Sequence, residues 1–265
     1  MLRVAETGGE LERSDRIEIK SDDRSLARLT DALADARDPG ERLRRLRAAV
    51  SGRIVFTTSF GLEDQAIAHL IFSAGLAIEV VTLDTGRLFP STYQVWAEIE
   101  RRYGVRIRSF HPDQSALAAF VADAGINGFY HSLAARLDCC EIRKVAPLGR
   151  ALAGANGWVT GLRADQSRQR GGVAAASWDA DRKLVKAAPL HDGTRAHVAD
   201  FCAAEQVPVN PLHDQGYPSI GCEPCTRALR PGEPERAGRW WWEQEGAKEC
   251  GLHVGPDGRL TRAKT

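Results

Sequence analysis

Apolar residues recur along this chain with two alternating periods. In SLARLTDALADAR (25–37) and GERLRRLRAAVSG (40–52) leucines return every three or four positions, predicting two helices broken at Asp38-Pro39-Gly40. At RIVFTTS (53–59) the pattern turns to a short β-branched run, followed by Gly61 and the helical EDQAIAHLIFSAG. The exchange repeats at AIEVVTL (77–83) with STYQVWAEIERRYG, and at VRIRSF (105–110) with SALAAFVADAG. Further strands are predicted at GWVTG (157–161) and KLVKAAPL (183–190). Such alternation implies strands joined by crossover helices, an α/β fold with a doubly wound, mostly parallel sheet. QSRQRGGVAAAS (166–177), poor in large apolar residues, reads as a mobile loop. The expected organisation is a helical N-terminal segment (1–50), a nucleotide-binding α/β domain (51–230) and a mobile C-terminal tail (231–265).

Composition narrows this picture. A formal charge of +1 over 265 residues gives no case for bulk attraction to nucleic acid or anionic lipid. No apolar run approaches the roughly 20 residues that span a bilayer, and the acidic start MLRVAETGGELERSD lacks a signal core. The expectation is a cytoplasmic protein. Its six cysteines then read as ligands or catalysts before they read as a disulfide framework.

In doubly wound sheets ligands bind beyond the carboxyl ends of the strands. After the first strand, SFGLEDQ (59–65) sets Ser59, Phe60 and Gly61 at a helix start, where backbone N–H groups suit a phosphate; an ordinary capped turn is the alternative. After the second, LDTGRLFPSTY follows Leu83 with Asp84 and Thr85, which could hydrogen-bond a base or ribose, and Arg87, which could face a phosphate; an ordinary βα turn around Gly86 is the alternative. After the fourth, GLRADQSRQR places Gly161 with Arg163, Arg168 and Arg170, a basic loop suited to a polyanion; a merely solvated loop is the alternative.

Cysteines carry the sharpest signal. Cys139 and Cys140 are adjacent, with Arg143 and Lys144 a turn later, and Cys222 and Cys225 form a CxxC pair. Four thiolates suffice for tetrahedral zinc or a four-iron cluster, and adjacent cysteines suit the wider cluster better. Cys202, in the amphipathic HVADFCAAEQ, reads as a core residue. Cys250, in KECGLH near the chain end, has no local pair and is either incidental or a mobile nucleophile; the basic loop and Arg236 and Arg239 of ERAGR could supply the cationic pocket that a reactive thiol needs.

From about Ser51 to His253 the sequence resembles the assimilatory adenylyl-sulfate reductases, iron–sulfur relatives of the phosphoadenylyl-sulfate reductases within the adenine-nucleotide α-hydrolase-like folds. SFGLEDQ, LDTGRLFPSTY, GLRADQSRQR, DCCEIRKV, GCEPCTRA and ECGLH carry the resemblance, in the family's order. It implies a [4Fe-4S] cluster on Cys139, Cys140, Cys222 and Cys225, and Lys144 between cluster and phosphosulfate. It also implies substrate contacts from the three loops and from Arg236 and Arg239, and Cys250 as nucleophile. The implied reaction is thioredoxin-dependent reduction of adenosine 5′-phosphosulfate through an S-sulfocysteine, in sulfate assimilation and cysteine biosynthesis. A homo-oligomer stays open. Arg168 departs from the family, standing where proline is expected, and residues 1–50 match no motif.

Three rival readings can be set against this one. A reductase of the 3′-phosphorylated substrate shares the loops but typically lacks the four cysteines. An ATP-cleaving synthetase of the same fold would want SGGxDS in place of SFGLEDQ. An iron–sulfur redox sensor would have no use for Cys250 and its arginines.

Overall fold

The computed structural model describes residues 23–167 and 170–243. Two N-terminal helices, α1 (Asp23–Ala34) and α2 (Pro39–Ala49), are separated at Asp38, whose carboxylate caps α2 by accepting from Glu41 N–H, with Pro39 in the first turn. They bury Leu29, Leu33, Leu43 and Leu46 in the main core, so this segment is an integral layer of the fold.

Then come β1 (Ile54–Thr58), α3 (Leu62–Ser73), β2 (Glu79–Leu83), α4 (Pro90–Tyr103), β3 (Arg108–Phe110) and α5 (Gln114–Ala124). The chain continues through α6 (Leu133–Cys140), a π-helical turn (Glu141–Val145), α7 (Ala146–Leu152) and β4 (Gly157–Val159). β5 (Ala176–Asp179), β6 (Leu184–Ala187) and α8 (Arg195–Ala204) complete the regular elements. The sheet runs β3-β2-β1-β4-β6-β5, parallel except for β5 against β6.

Central strands are buried on both faces, which is why they read as unbroken apolar runs. In β1, Ile54 and Phe56 enter the core shared with α2, α3 and α4, whereas Val55 meets Leu148, Ala151 and Leu152 of α7 on the other face. The five predicted strands all form, somewhat shortened. The end of the predicted 166–177 loop differs: Ala176 begins β5, an antiparallel edge strand. The chain past Arg230 also differs over 231–243, where it folds back, pairs Arg239 with Thr226 and buries Trp240 completely.

Candidate functional site

The chain passes from β1 outward through β2 to β3 and returns to place β4 on β1's other side, so strand order reverses between β1 and β4. Two loops leave the sheet there. Phe60 adopts φ 58, a left-handed conformation rare outside glycine, and its buried ring stacks on Trp96 at 5.6 Å. This turn leaves Ser59 exposed. Ser59 N–H and Oγ–H both donate to the Asp64 carboxylate, at 2.6 and 2.7 Å. An internal anion therefore takes donors that the sequence reading assigned to a phosphate. Glu63 and Asp64 lie in the first turn of α3, favoured by the helix dipole, yet burial pushes Asp64 up to about 6. Gly161 closes the opposite side; any Cβ there would collide with the Asp64 carboxylate.

Arg163 departs from the expectation of a guanidinium facing substrate. Its side chain is fully buried and held by Glu63 at 2.8 Å, Asp165 at 3.1 Å and Glu235 at 3.0 Å. Burial opposes its charge, but Glu63 and Glu235 outweigh that and hold it firmly cationic. In this arrangement Arg163 is a strut joining α3 to the C-terminal stretch. Arg170 is likewise buried and donates to Gln166 at 2.5 Å, while Arg168 lies outside the described residues.

The loop after β2 serves two sites. From Leu83 at the strand end the chain reaches Asp84, which accepts from Gly86 N–H and Tyr93 O–H, each at 2.8 Å. Thr85 is turned inward, its hydroxyl 3.3 Å from Cys222 Sγ. Arg87 donates to Ile126 O at 3.0 Å and to Asn127 Oδ1 at 2.9 Å, with its guanidinium over Phe129.

Cys139 and Cys140 end α6 where it passes into the π turn. Residues 136, 139, 140, 143 and 144 are spaced to share one helical face, and all five line one cavity. Adjacent cysteines thus flank one stripe, and the π turn, a form frequent at functional sites, carries the stripe on to Lys144. Cys222 and Cys225 complete the lining. Their loop is fixed by Glu223 N–H donating to Arg87 O at 2.8 Å and by Thr226 Oγ–H donating to Cys222 O at 2.9 Å. Burial raises Cys139, and it pushes Cys225 up to about 12. Burial also opposes ionisation of Cys222, but the Lys144 ammonium, the Thr85 hydroxyl and Arg239 prevail and lower it.

Each of these four thiols is free of a disulfide, and among the described residues no three Cys, His, Asp or Glu side chains are placed to hold a single metal ion. Four thiols lining one cavity are a donor set that could hold a polynuclear cluster. Cys202 sits apart in the core, as expected, and burial pushes it up to about 12.

Arg239 is buried over Trp240 at 4.7 Å and fits against Gly221 with no room for a side chain there. Its Nε has no hydrogen-bond partner among the described residues. Arg236 is half-buried, and Cys250 lies outside the described residues. The sequence reading did not single out Arg136, Glu243 or Trp240. Helical spacing signalled the first, since Arg136 precedes Cys140 by four positions.

Residues 53–228 match the family described as phosphoadenosine phosphosulfate reductase domain. The adenosine 5′-phosphosulfate reductase of Agrobacterium fabrum (strain C58) is 54% identical over 207 residues, covering 78% of this chain and 80% of that protein. That of Allochromatium vinosum is 52% identical over 200 residues, covering 76% and 78%. Among solved structures, phosphoadenylyl-sulfate reductase from Candida auris, a phosphate complex, superimposes with a TM-score of 0.64 at 24% identity, covering 75% of this chain and 94% of that one. That likeness supports the fold.

Proposed function

This chain belongs to the phosphoadenosine phosphosulfate reductase family, and from that premise we propose that it reduces adenosine 5′-phosphosulfate to sulfite and AMP with a thioredoxin-type dithiol. The observation that carries the reading is the four-cysteine cavity beside Lys144 and Arg239, in a chain 52–54% identical over about three quarters of its length to proteins named for that substrate.

Cys139, Cys140, Cys222 and Cys225 would hold a [4Fe-4S] cluster, which when bound supplies a fixed, net negative group around which cationic side chains gather. The chemistry itself closes with thiols. The Cys250 thiolate attacks the substrate sulfur; an S–S bond forms as the S–O bond to phosphate breaks, and AMP leaves with the electron pair. A reductant thiolate then attacks Cys250 Sγ and sulfite departs with the bonding pair. The second thiol of the reductant closes its disulfide and frees Cys250, so the dithiol supplies both electrons. Lys144, Arg236 and Arg239 neutralise the phosphosulfate as charge develops on the leaving group. Ser59, Phe60, Gly61, Leu83, Asp84, Thr85, Arg87 and Gly161 shape the nucleotide crevice, and Arg163 braces its wall. Reduced thiols and a dithiol partner suit the cytoplasm.

The test is sulfite release from adenosine 5′-phosphosulfate with reduced thioredoxin, run beside the 3′-phosphorylated substrate. The reading expects a kcat/KM for the first that is larger by at least an order of magnitude. Comparable values, or preference for the second, would reassign the substrate.

A further inference from the structure

Residues 240–243 form a tight turn in which Glu243 N–H donates to Trp240 O at 2.9 Å. The turn touches both cysteine pairs. On one side Trp240 N–H donates to the Cys225 carbonyl at 3.1 Å. On the other, Glu243 receives Arg136 through two bonds of 2.8 Å, Nε to Oε1 and Nη2 to Oε2. Both side chains are buried, at 0% and 7% exposure. Arg136 stands one helical turn before Cys140, lines the same cavity, and its charge is favoured by that thiol. Arg136 and Arg239 each lie over the ring of the wholly buried Trp240, 4.7 Å from its centroid. Its backbone takes φ 42, a conformation that a tryptophan keeps only when its surroundings enforce it.

The proposed reaction assigns no task to a glutamate here, and among the described residues the cavity lining contains no carboxylate. Among the described residues Glu243 meets the cavity lining through the planar fork of Arg136. We propose that Glu243 is a positioning residue for the cysteine cavity. It fixes the plane of Arg136 so that the guanidinium is aimed at Cys140, while the Trp240 N–H ties the CxxC loop to the same turn. The turn is then a cross-brace between the two cysteine pairs, and assembly of the cysteine site fixes the point from which the C-terminal segment departs. This rests on the assignment of the cavity to an iron–sulfur cluster. Linkage makes the effect reciprocal: whatever the four cysteines bind stabilises the turn, and the turn stabilises what they bind.

The full chain, purified anaerobically, is compared with Glu243→Gln, Glu243→Asp and Arg136→Lys. Iron and sulfide per chain, visible circular dichroism, iron release to a chelator, and tryptic cleavage after Arg239 are measured. Glu243→Gln is expected to fold and take up iron, with altered visible dichroism and iron release about tenfold faster, the range seen when an outer partner of a ligand is removed. Arg136→Lys, which keeps charge but not the fork, behaves like Glu243→Gln, and Glu243→Asp recovers part of the wild-type signal. Cleavage after Arg239 accelerates in the same variants, and in wild type once its iron is removed. Wild-type dichroism, release rate and resistance to trypsin in Glu243→Gln would overturn the proposal. A wild-type protein without iron or sulfide would overturn the cluster assignment, and the proposal with it.

Discussion

Two regions with buried cationic side chains meet the carboxyl ends of the central strands, and they are balanced in opposite ways. Beside β1 and β4, one cation faces three carboxylates: Arg163 is enclosed by Glu63, Asp165 and Glu235, with Asp64 a neighbour in the same helical turn. In the cysteine cavity Arg136 is likewise paired, with Glu243, but Arg87, Arg143 and Lys144 share the lining with four thiols and, among the described residues, no lining carboxylate. The first region is complete without a ligand and behaves as a wall. The second collects positive charge that thiolate ligation and a phosphosulfate would offset. An arginine in a strand-end loop is thus not in itself an anion site; what decides is whether protein carboxylates have already claimed it.

The largest expected effect falls on the cavity. Cys140→Ser should lose bound iron and sulfide and reduce sulfite production to background, whereas Cys202→Ser should keep both; iron analysis and the sulfite assay decide. Retention of iron by Cys140→Ser would dissolve the contrast, because the cavity would then not need its full thiol set. Next in size, Arg163→Met leaves Glu63 and Glu235 buried without their cation. It should cost about 3–5 kcal/mol in urea unfolding, with recovery when both glutamates become glutamine. Lys144→Ala should do the reverse, lowering kcat/KM by about 10²–10³-fold with little change in unfolding midpoint. If Arg163→Met acted on turnover and left stability untouched, the wall and the reactive cavity would have to exchange roles.

The smallest effect sharpens the acidic side. Burial raises Asp64 from 3.8 to about 6 in the folded state. Between those values the folded protein keeps a proton that the unfolded chain has released, so stability falls as pH rises through the window and levels off above it. Urea midpoints for wild type and Asp64→Asn between pH 5 and pH 7 should diverge accordingly, with the wild type losing stability relative to the variant as pH rises.

Much of this was legible in the sequence, for physical reasons. Strands buried on both faces leave apolar runs such as IVFTT and EVVTL that no amphipathic helix would carry. Edge strand β5, with only ASWD to show and a polar loop before it, has no such signature. Helical stretch 133–152 is broken in pattern by its cysteines, charges and Pro147, and its π turn shifts the repeat. The cysteines were legible because their chemistry needs no fold to be recognised. Arg163 was not, since its partners Glu63 and Glu235 lie 100 and 72 positions away and only the closed sheet brings them together. Arg136 and Glu243, 107 positions apart, escaped for the same reason.

The most direct measurement of the central claim is a single-turnover experiment with adenosine 5′-phosphosulfate and no thiol reductant. The account predicts AMP released once per active site and then no more, with one SO3 group on the peptide containing Cys250 by mass spectrometry. Reduced thioredoxin should remove that group as sulfite, and Cys250→Ser should form no adduct while keeping its iron. Sulfite from the Cys250→Ser protein, or an SO3 group mapped to Cys139 or Cys225, would contradict the account and move the chemistry to the cysteine cavity.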